Sequence, residues 1–442
     1  MKTNVKNAGA AKTHEGGLST ATLTAAQELR RTVMCCMLFE DSFYESGVSS
    51  TDRMKELLKK TSFEDAAQIA IDAREKMKLR HVPLFLVREL LRNHSGRKVG
   101  DLVARVIQRP DELSELLALY WKDGKDQPLP SQLKIGLARA LKKFNEYSIG
   151  KYINRDASVK IRDVLFLSHA KPKDDEQAAL FKRITDNTVA TPDTWEVELS
   201  SGAGKKAAFE RLMGENKLGA LALLRNLRGM LEAGVSEDVI RDALGKMKVD
   251  RVLPFRFIAA ARYAPRLEDA LELAMFRCLA ETPKLGGKTA LMIDHSGSMR
   301  GVVSAKSEIS RFDAAAAVAM ILRETTDRCR VFTFAEDCIE VPPRRGFAMV
   351  QAVQAVINPV ATKLGKAVKH VYAEFPECDR IIVITDEQSQ DRPQHPQGHG
   401  YIVNVAGYRN GIGYGPWVTI DGWSESIVEY IRENEEPNTQ IN

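Results

Sequence analysis

The sequence predicts a multidomain protein with an all-α part followed by an α/β part. Residues 1–20 are polar and rich in Gly, Ala and Ser, which is typical of a flexible tail. In residues 21–281 apolar side chains recur three or four positions apart, which indicates amphipathic helices. In residues 282–442 short apolar runs alternate with helical patterns, which predicts a parallel sheet with helices on both faces.

The all-α part is a series of helices joined by short turns. The turns carry capping or helix-breaking residues, as in SSTD and QRPDE. Helices joined in this way are typical of stacked helix pairs, as in an α-solenoid. The segments with helical spacing are AAQELRRTVMCCMLF, FEDAAQIAIDAREKM, VPLFLVRELLRN, VGDLVARVIQ, DELSELLALYWK, SQLKIGLARALKKF, KLGALALLRNLRGML and EDVIRDALGKM.

The α/β part begins after the linker ETPKLGGK. Its predicted strands are TALMID, CRVFTF, RIIVIT, YIVNVA and PWVTI. Its predicted helices are SRFDAAAAVAMILRETT, FAMVQAVQAVI, TKLGKAVKHVYAEF and SESIVEYIRE. Functional loops in such sheets follow the carboxyl ends of the strands.

Acidic and hydroxyl side chains lie at the predicted strand ends. DHSGSM follows the first strand and contains Asp294, Ser296 and Ser298; Asp386 follows RIIVIT, and Thr362 opens the predicted helix TKLGKAV. Carboxylate and hydroxyl oxygens are the ligands that Mg²⁺ prefers. Because these loops lie on one edge of the sheet, we expect the five residues to form a divalent metal site. The alternative is that the two serines only cap the next segment.

Three further motifs give only weak evidence of a nucleotide-binding, zinc-binding or catalytic site. GGKT at 286–289 precedes a strand and lacks the first glycine of a P-loop. His395 and His399 have no neighbouring cysteine that would favour zinc. A nucleophilic Ser296 would need a base, and the adjacent His295 points away in an extended chain. We therefore expect no enzymatic activity.

The composition is that of a soluble globular protein, with 44% hydrophobic and 28% charged residues. The formal charge of +5 is mildly basic, so nucleic-acid binding would depend on local clusters. The six cysteines form no CxxC motif, which favours reduced thiols. The N-terminal residues lack the apolar core of a signal peptide, and the longest apolar stretch, 314–322, is too short for a membrane span. We expect a cytoplasmic protein.

The stretch from 131 to 173 is the most basic, with ten Lys and Arg against three Asp and Glu. Clustered cations attract phosphate, and the interleaved Phe144, Tyr147 and Tyr152 could stack on unpaired bases. The alternative is a solvated helical face with core aromatics. The candidate RNA-binding residues are Lys142, Lys143, Lys151, Arg155, Lys160, Arg162, His169, Lys171 and Lys173.

Residues from about 288 to 430 resemble a von Willebrand factor A domain with a metal-ion-dependent adhesion site. DHSGSM matches the D-x-S-x-S of that family, VATKLGKAV its threonine segment and ITDEQ its second aspartate. Val360 and Ala361 stand where the family often has a Gly pair, and Glu387 replaces a common Gly. The resemblance implies a Rossmann-like fold and a cation with one position open to an acidic group.

Segments of the all-α part resemble the TROVE module, and a TROVE module before a von Willebrand A domain is the architecture of the Ro autoantigen family. The resemblance covers residues 20–432, and we expect a bacterial or phage member. It implies a ring of HEAT-like repeats with a central hole, and His169 and Lys171 match the SH-x-KP segment of the family. The TROVE-like segments are CCMLFEDSFYESG, KIRDVLFLSHAKPK, LALLRNLRGML and VLPFRFIAAARYAP.

The resemblance implies RNA quality control or scaffolding without catalysis. Such proteins bind small noncoding Y RNAs on a basic outer surface and take single-stranded 3′ ends of misfolded RNA into the hole. The expected partners are a Y-like RNA, misfolded RNA ends and an exoribonuclease, with a monomeric protein and no membrane. Two alternatives stay open. One is an adaptor that binds an acidic partner through the metal, and the other is a subunit of an ATP-driven machine whose ATPase is another chain.

Overall fold

Two units of the chain are distinguished in the computed structural model, and each is described by itself. The helical unit comprises residues 51–218 and 233–235, and the mixed unit comprises residues 1–50, 219–232 and 236–442. The structure describes residues 24–35, 47–76, 79–94, 99–122, 124, 128–153, 157–192, 204–249, 252, 255–280, 282–303, 309–356, 361–406, 416–422 and 426–435. The predicted tail at 1–20 lies outside these residues.

The helical unit follows the predicted helical spacing. The helices that lie wholly or mostly in it are α2 (Gly47–Lys60), α3 (Phe63–Glu75), α4 (His81–Asn93), α5 (Val99–Val106), α6 (Pro110–Tyr120), α7 (Ser131–Leu141), α8 (Glu146–Ile153), α9 (Ile161–Ser168), α10 (Asp175–Asp186) and α11 (Lys205–Gly214). Leu133, Leu137 and Leu141, four residues apart, form one buried face of α7. The turn predicted at SSTD is wrong, because residues 49–52 lie inside α2.

A buried ion pair ties α3 to α6. Nη2 of Arg74 lies 2.6 Å from Oε1 of Glu112, and the two side chains are 8% and 0% exposed. Nε of Arg74 also donates to the carbonyl oxygen of Val106, and Oε2 of Glu112 accepts from the backbone N–H of Gln108. Because every one of these groups is partnered inside the protein, loss of one member would leave an uncompensated buried charge, at a cost of about 3–5 kcal/mol.

The mixed unit combines helices with a sheet. Its helices are α1 (Ala25–Cys35), α12 (Ala220–Glu232), α13 (Glu237–Lys246), α14 (Phe255–Tyr263), α15 (Glu268–Ala280), α16 (Arg311–Glu324), α17 (Gly346–Gln354), α18 (Leu364–Glu374) and α19 (Ser426–Glu435), with short 3₁₀ turns at Pro265–Leu267 and Gly297–Arg300. None of the helices in the described part of the chain has the length and apolar character of a membrane span.

The sheet has six strands within the described residues, in the order β3-β2-β1-β4-β5-β6. They are β1 (Leu285–Asp294), β2 (Thr326–Phe334), β3 (Cys338–Glu340), β4 (Arg380–Thr385), β5 (His399–Asn404) and β6 (Val418–Asp421). Neighbouring strands are parallel, as predicted, except that β3 runs antiparallel to β2. The sequence did not predict β3, because three residues are too few to show an alternating pattern.

Helices cover both faces of the sheet. Ala290 and Met292 of β1 pack with Val368 and Val371 of α18 in one buried cluster. The residues between them along β1 point to the opposite face, where α16 packs against β1, β2 and β4. Every residue from 312 to 322 of α16 is buried, so the run AAAAVAMIL is a core helix. This double-sided burial explains why the strands are nearly continuous apolar runs.

Candidate cation site and basic surface

Two aspartates meet at the carboxyl ends of β1 and β4. The strands are parallel neighbours, with Ile293 opposite Ile384, so Asp294 and Thr385 end the strands side by side. Oγ1 of Thr385 donates a 2.6 Å hydrogen bond to Oδ2 of Asp294. Asp386 follows directly, and both aspartates are 0% exposed. The sequence predicts only that the two aspartates lie at the same edge of the sheet. The pairing of β1 with β4 brings their carboxylates together.

The DHSGSM loop folds back on Asp294. The backbone N–H of Ser296 donates to Oδ1 of Asp294 at 2.9 Å, and the hydroxyl oxygens of Ser296 and Ser298 lie 3.2 Å apart. Ser296 is the N-cap residue of the turn at 297–300, but its side chain makes no capping hydrogen bond. The two hydroxyls therefore converge beside the carboxylate, and capping alone does not explain their position.

The electrostatics of the pair favour a cation. Burial and the neighbouring charge of Asp386 raise the pKa of Asp294 to about 7. Nη1 of Arg311, a buried residue, lies 3.8 Å from Oδ2 of Asp386 and donates to the carbonyl oxygen of Ser298 at 2.9 Å. One guanidinium balances only one of two buried carboxylates. A hard divalent cation with oxygen ligands fits the remaining charge and the donor set.

No cluster of three His, Cys, Asp or Glu side chains suited to a metal occurs among the described residues. A cation at Asp294 and Asp386 would therefore need the hydroxyls, the remaining ligands being water or a partner. This composition suits Mg²⁺, which keeps several waters, better than zinc, which takes nitrogen and sulfur ligands.

Thr362 lies on the segment that borders this site. It is buried and precedes α18 by two residues, so it does not open the helix as the sequence predicts. Its carbonyl oxygen accepts hydrogen bonds from the backbone N–H of Gln390 and from Oγ of Ser389. The next residue, Lys363, donates its backbone N–H to the carbonyl oxygen of Ala335. Thr362 is thus held between the end of β2 and the loop that follows Asp386.

The loop after Asp386 fixes the start of α18 by capping. Oδ1 and Oδ2 of Asp391 accept from the backbone N–H groups of Gly365 and Lys366, at 2.8 and 2.9 Å. Oγ of Ser389 accepts from the backbone N–H of Leu364 at 3.0 Å. These bonds satisfy the free donors of the first helical turn. Sequence reasoning missed these caps, as it missed Arg311 and Thr385, because nothing in a linear pattern shows which strand end faces which helix.

Glu387 takes the position where the von Willebrand A pattern has a glycine. Its φ is +61°, in the left-handed region, and its side chain is buried. The backbone N–H donates to Oγ1 of Thr385 at 3.0 Å, which holds this conformation. A non-glycine residue here costs about 1–2 kcal/mol, so the loop keeps its shape at the expense of local strain.

Three of the predicted RNA-binding lysines meet at one cleft of the helical unit. The cleft has a volume of about 100 Å³, and Lys142, Lys143 and Lys173 line it. The acids Glu146, Asp174 and Glu176 line it as well, together with Arg183. The net positive charge of the cleft is therefore smaller than the lysines alone would give.

Lys143 is engaged inside the helical unit. Its Nζ donates to the carbonyl oxygens of Ala104, at 2.5 Å, and Ile107 at the end of α5. Burial lowers the pKa of this ammonium group. Lys143 thus satisfies free carbonyl groups of a helix end, and a contact with RNA would have to compete with that role.

Aromatic rings accompany two other predicted cations. Nζ of Lys151 lies 4.4 Å from the centre of the Tyr147 ring, and Cζ of Arg162 lies 5.6 Å from that of Phe166. Tyr147 and Phe166 are 56% and 52% exposed, which is unusual for large rings. Phe144, by contrast, is buried. The sequence analysis did not predict Phe166 as a stacking residue. Its spacing of four residues from Arg162 could have indicated this, because it places the two side chains on one helix face.

The SHAKPK segment ends α9 with an exposed histidine. His169 has φ 52° and ψ 39°, the left-handed conformation that often terminates a helix. Its side chain is exposed, as are those of Lys171 and Lys173. Lys160, the N-cap residue at the other end of α9, is also exposed, whereas Arg155 lies outside the described residues.

Comparisons with known proteins find one family match in each part of the chain. Residues 187–281 match the family model of the TROVE domain, and residues 288–399 match that of the Ro60 vWA domain. A solved structure, the Ro (RSR) protein of Deinococcus radiodurans, matches with a TM-score of 0.59 and 18% identity, covering 91% of this chain and 97% of that chain. At this identity the similarity shows the fold.

Curated relatives match over a shorter stretch. Telomerase protein component 1 of Rattus norvegicus is 35% identical over 86 residues, and that of Mus musculus is 37% identical over 86 residues. These matches cover 18% of this chain and only 3% of either relative. The similarity therefore concerns one segment of much larger proteins.

Proposed function

The chain belongs to the Ro family, in which a TROVE domain precedes a Ro60 von Willebrand factor A domain, and from this premise we propose that it is an RNA-binding protein. It binds a small structured RNA of the Y type on the basic surface of the helical unit. It takes single-stranded 3′ ends of misfolded RNA into the central hole that the family resemblance implies. It is a non-enzymatic, monomeric and cytoplasmic scaffold that presents defective RNA to an exoribonuclease.

The observation that carries this proposal is the group of exposed cations on α8, on α9 and in the segment after α9. Lys151, Arg162, Lys171 and Lys173 are exposed, and exposed rings accompany the first two. Cations neutralise phosphates, and exposed rings stack on unpaired bases.

Glu146 and Asp163, the described acidic residues between positions 131 and 173, cancel little of this positive charge. Oε1 and Oε2 of Glu146 accept hydrogen bonds from Nε and Nη2 of Arg183, each at 2.8 Å. Oδ2 of Asp163 accepts from the backbone N–H of Lys160 at 2.8 Å and so caps α9. Glu146 and Asp163 therefore have local partners. Nζ of Lys173 lies 3.9 Å from Oδ2 of Asp174, so we expect the exposed Lys151, Arg162 and Lys171 to be the cations that contact the RNA backbone.

The test is RNA affinity across a salt series. A stem-loop RNA with a single-stranded 3′ tail is titrated with the wild type and with the double variant Arg162→Ala, Lys171→Ala. We expect the logarithm of affinity to fall linearly with the logarithm of salt concentration, and the slope to shrink by about 0.9 for each lost phosphate contact. Lys206→Ala, an exposed lysine on α11, is the matched control and should bind as the wild type. Equal slopes for wild type and double variant would refute the location of the surface.

A second function is favoured by the buried carboxylate pair. Asp294, Ser296, Ser298, Thr362 and Asp386 would hold a divalent metal, Mg²⁺, and the bound ion would supply an open coordination position for an acidic group. The side chains of this chain would position the ion and keep bulk water from the buried carboxylates. The adaptor function predicts capture of an acidic protein partner that a chelator abolishes, whereas RNA binding at the helical unit would persist in the chelator.

A further inference from the structure

Two helices of the mixed unit line an open cavity away from the cation site. The cavity has a volume of about 320 Å³ and lies between α12 and α14. Its lining positions are spaced three or four apart on each helix, so each helix contributes one face. The lining residues are Leu221, Leu224, Arg225, Arg228, Arg256, Ala259, Ala260 and Tyr263.

The charged part of the lining is entirely cationic. Arg225, Arg228 and Arg256 line the cavity, and no carboxylate is among its lining residues in the described part of the chain. Nε of Arg228 donates to Oε1 of Glu232, at 2.9 Å, with both side chains largely exposed. Such a surface pair is worth little and yields easily to a stronger anion.

Arg225 and Arg256 are close enough to repel each other. Arg256 lines the cavity, where burial of its guanidinium group lowers its pKa and the charge of Arg225 lowers that pKa further. An anion placed between the two guanidinium groups would relieve the repulsion, and the planar guanidinium suits phosphate oxygens.

The apolar part of the lining offers a flat ring. Tyr263 is 44% exposed and Leu221 is 45% exposed, although both are large apolar side chains. Leu224, Ala259 and Ala260 complete the apolar wall. A volume near 300 Å³ is at the lower end of small-ligand sites, which suits a ligand with one planar ring system and one charged group.

We propose that this cavity binds a nucleoside monophosphate unit, with its phosphate between Arg225 and Arg256 and its base stacked on Tyr263. A terminal phosphate carries a charge of about −1.5 to −2 at neutral pH, which balances two guanidinium groups. A phosphate inside a nucleic-acid strand carries only one charge, so the cavity selects an end. The unit can be a free nucleotide or the 5′-phosphorylated end of an RNA strand.

The experiment is calorimetric titration of the full chain with adenosine monophosphate and with adenosine. We expect the monophosphate to bind at least tenfold more tightly than the nucleoside. Arg225→Gln and Arg256→Gln should each remove that difference, while Tyr263→Ala should weaken both ligands and Tyr263→Phe should preserve both. Arg266→Gln, an exposed arginine outside the cavity, is the matched control.

A second titration identifies the source of the phosphate. A short single-stranded RNA with a 5′-phosphate is compared with the same RNA carrying a 5′-hydroxyl. Tighter binding of the phosphorylated RNA, lost in Arg225→Gln, assigns the cavity to RNA ends, and binding of the free nucleotide alone assigns it to a metabolite. Equal binding of adenosine and its monophosphate, or wild-type binding by a folded Arg225→Gln, would overturn the proposal. The preference for the 5′-phosphate should persist in the double variant Arg162→Ala, Lys171→Ala, so this outcome is independent of the RNA-binding surface on the helical unit.

Discussion

Oε1 of Glu272, on α15, accepts a 2.8 Å hydrogen bond from the backbone N–H of Phe347 in the first turn of α17. The last helix of the TROVE region thus caps a helix of the von Willebrand A domain. Cζ of Arg345 lies 5.3 Å from the centre of the Phe276 ring, one turn further along α15. Gly346 lies between Arg345 and Phe347 with φ +53°, and a Cβ there would lie only 1.9 Å from Oε1 of Glu272.

Gly346→Ala should destabilise this junction. The left-handed backbone costs an alanine about 1–2 kcal/mol, and the methyl group would displace the Glu272 carboxylate. Glu272→Ala alone should cost about 1 kcal/mol through the lost cap. Because the alanine methyl already breaks the cap, the double variant should lose less free energy of unfolding than the two single variants together. Urea denaturation of all four proteins measures this, and additive losses would contradict the shared contact.

Tyr401 should make the mixed unit sensitive to alkaline pH. It is 0% exposed, its hydroxyl oxygen accepts a hydrogen bond from Nδ2 of Asn434, and burial raises its pKa to about 12. The folded state then holds the phenol proton more tightly than the unfolded state, where the pKa is near 10. This contribution is complete below pH 10 and is lost as the pH rises towards 12, amounting to about 1 kcal/mol at pH 11.

Tyr401→Phe tests the assignment, because phenylalanine cannot ionise. The free energy of unfolding of the variant should fall less than that of the wild type between pH 8 and pH 11. Tyr430→Phe, which changes an exposed ring on α19, is the control and should follow the wild type. If Tyr401→Phe loses as much stability as the wild type over this range, another group causes the alkaline loss.

The sequence predicts β1, β2, β4 and β5 well because each contains a buried apolar run, and the ends of β1 and β4 locate Asp294 and Asp386. It does not predict β3, which is too short to show alternation, nor the start of α18, which Asp391 and Ser389 set from 25 residues or more away. Arg311 gives no signal in the sequence, because the groups that it contacts, on Ser298 and Asp386, follow two different strands. The sequence also does not predict the cavity between α12 and α14. Its arginines have the spacing of ordinary solvated residues, and only the packing of the two helices brings them together.

Asp294→Asn and Asp386→Asn should abolish stabilisation by Mg²⁺ without unfolding the protein. In a chelator, each variant removes one of two mutually repelling buried carboxylates, so its melting temperature should equal or exceed that of the wild type. With Mg²⁺ in hundredfold excess over its dissociation constant, the wild type should gain about 2.7 kcal/mol and the variants nothing. Thermal unfolding with and without the ion measures both effects.

The matched control for the cation site is Asp337→Asn. Asp337 is an exposed carboxylate just after β2, paired with Lys366, and its loss should leave the Mg²⁺ response unchanged. A wild-type Mg²⁺ response in both Asp294→Asn and Asp386→Asn would mean that the ion binds elsewhere.

His169 allows fold and function to be separated at one position. It is exposed and holds φ 52°, a conformation that asparagine and glycine adopt readily and valine does not. His169→Asn should therefore keep the melting temperature of the wild type yet bind the stem-loop RNA roughly five to ten times more weakly, the loss expected for one hydrogen bond. His169→Val should instead lose about 1–2 kcal/mol of stability through backbone strain. Unchanged RNA affinity in a folded His169→Asn would mean that this histidine serves only to end α9.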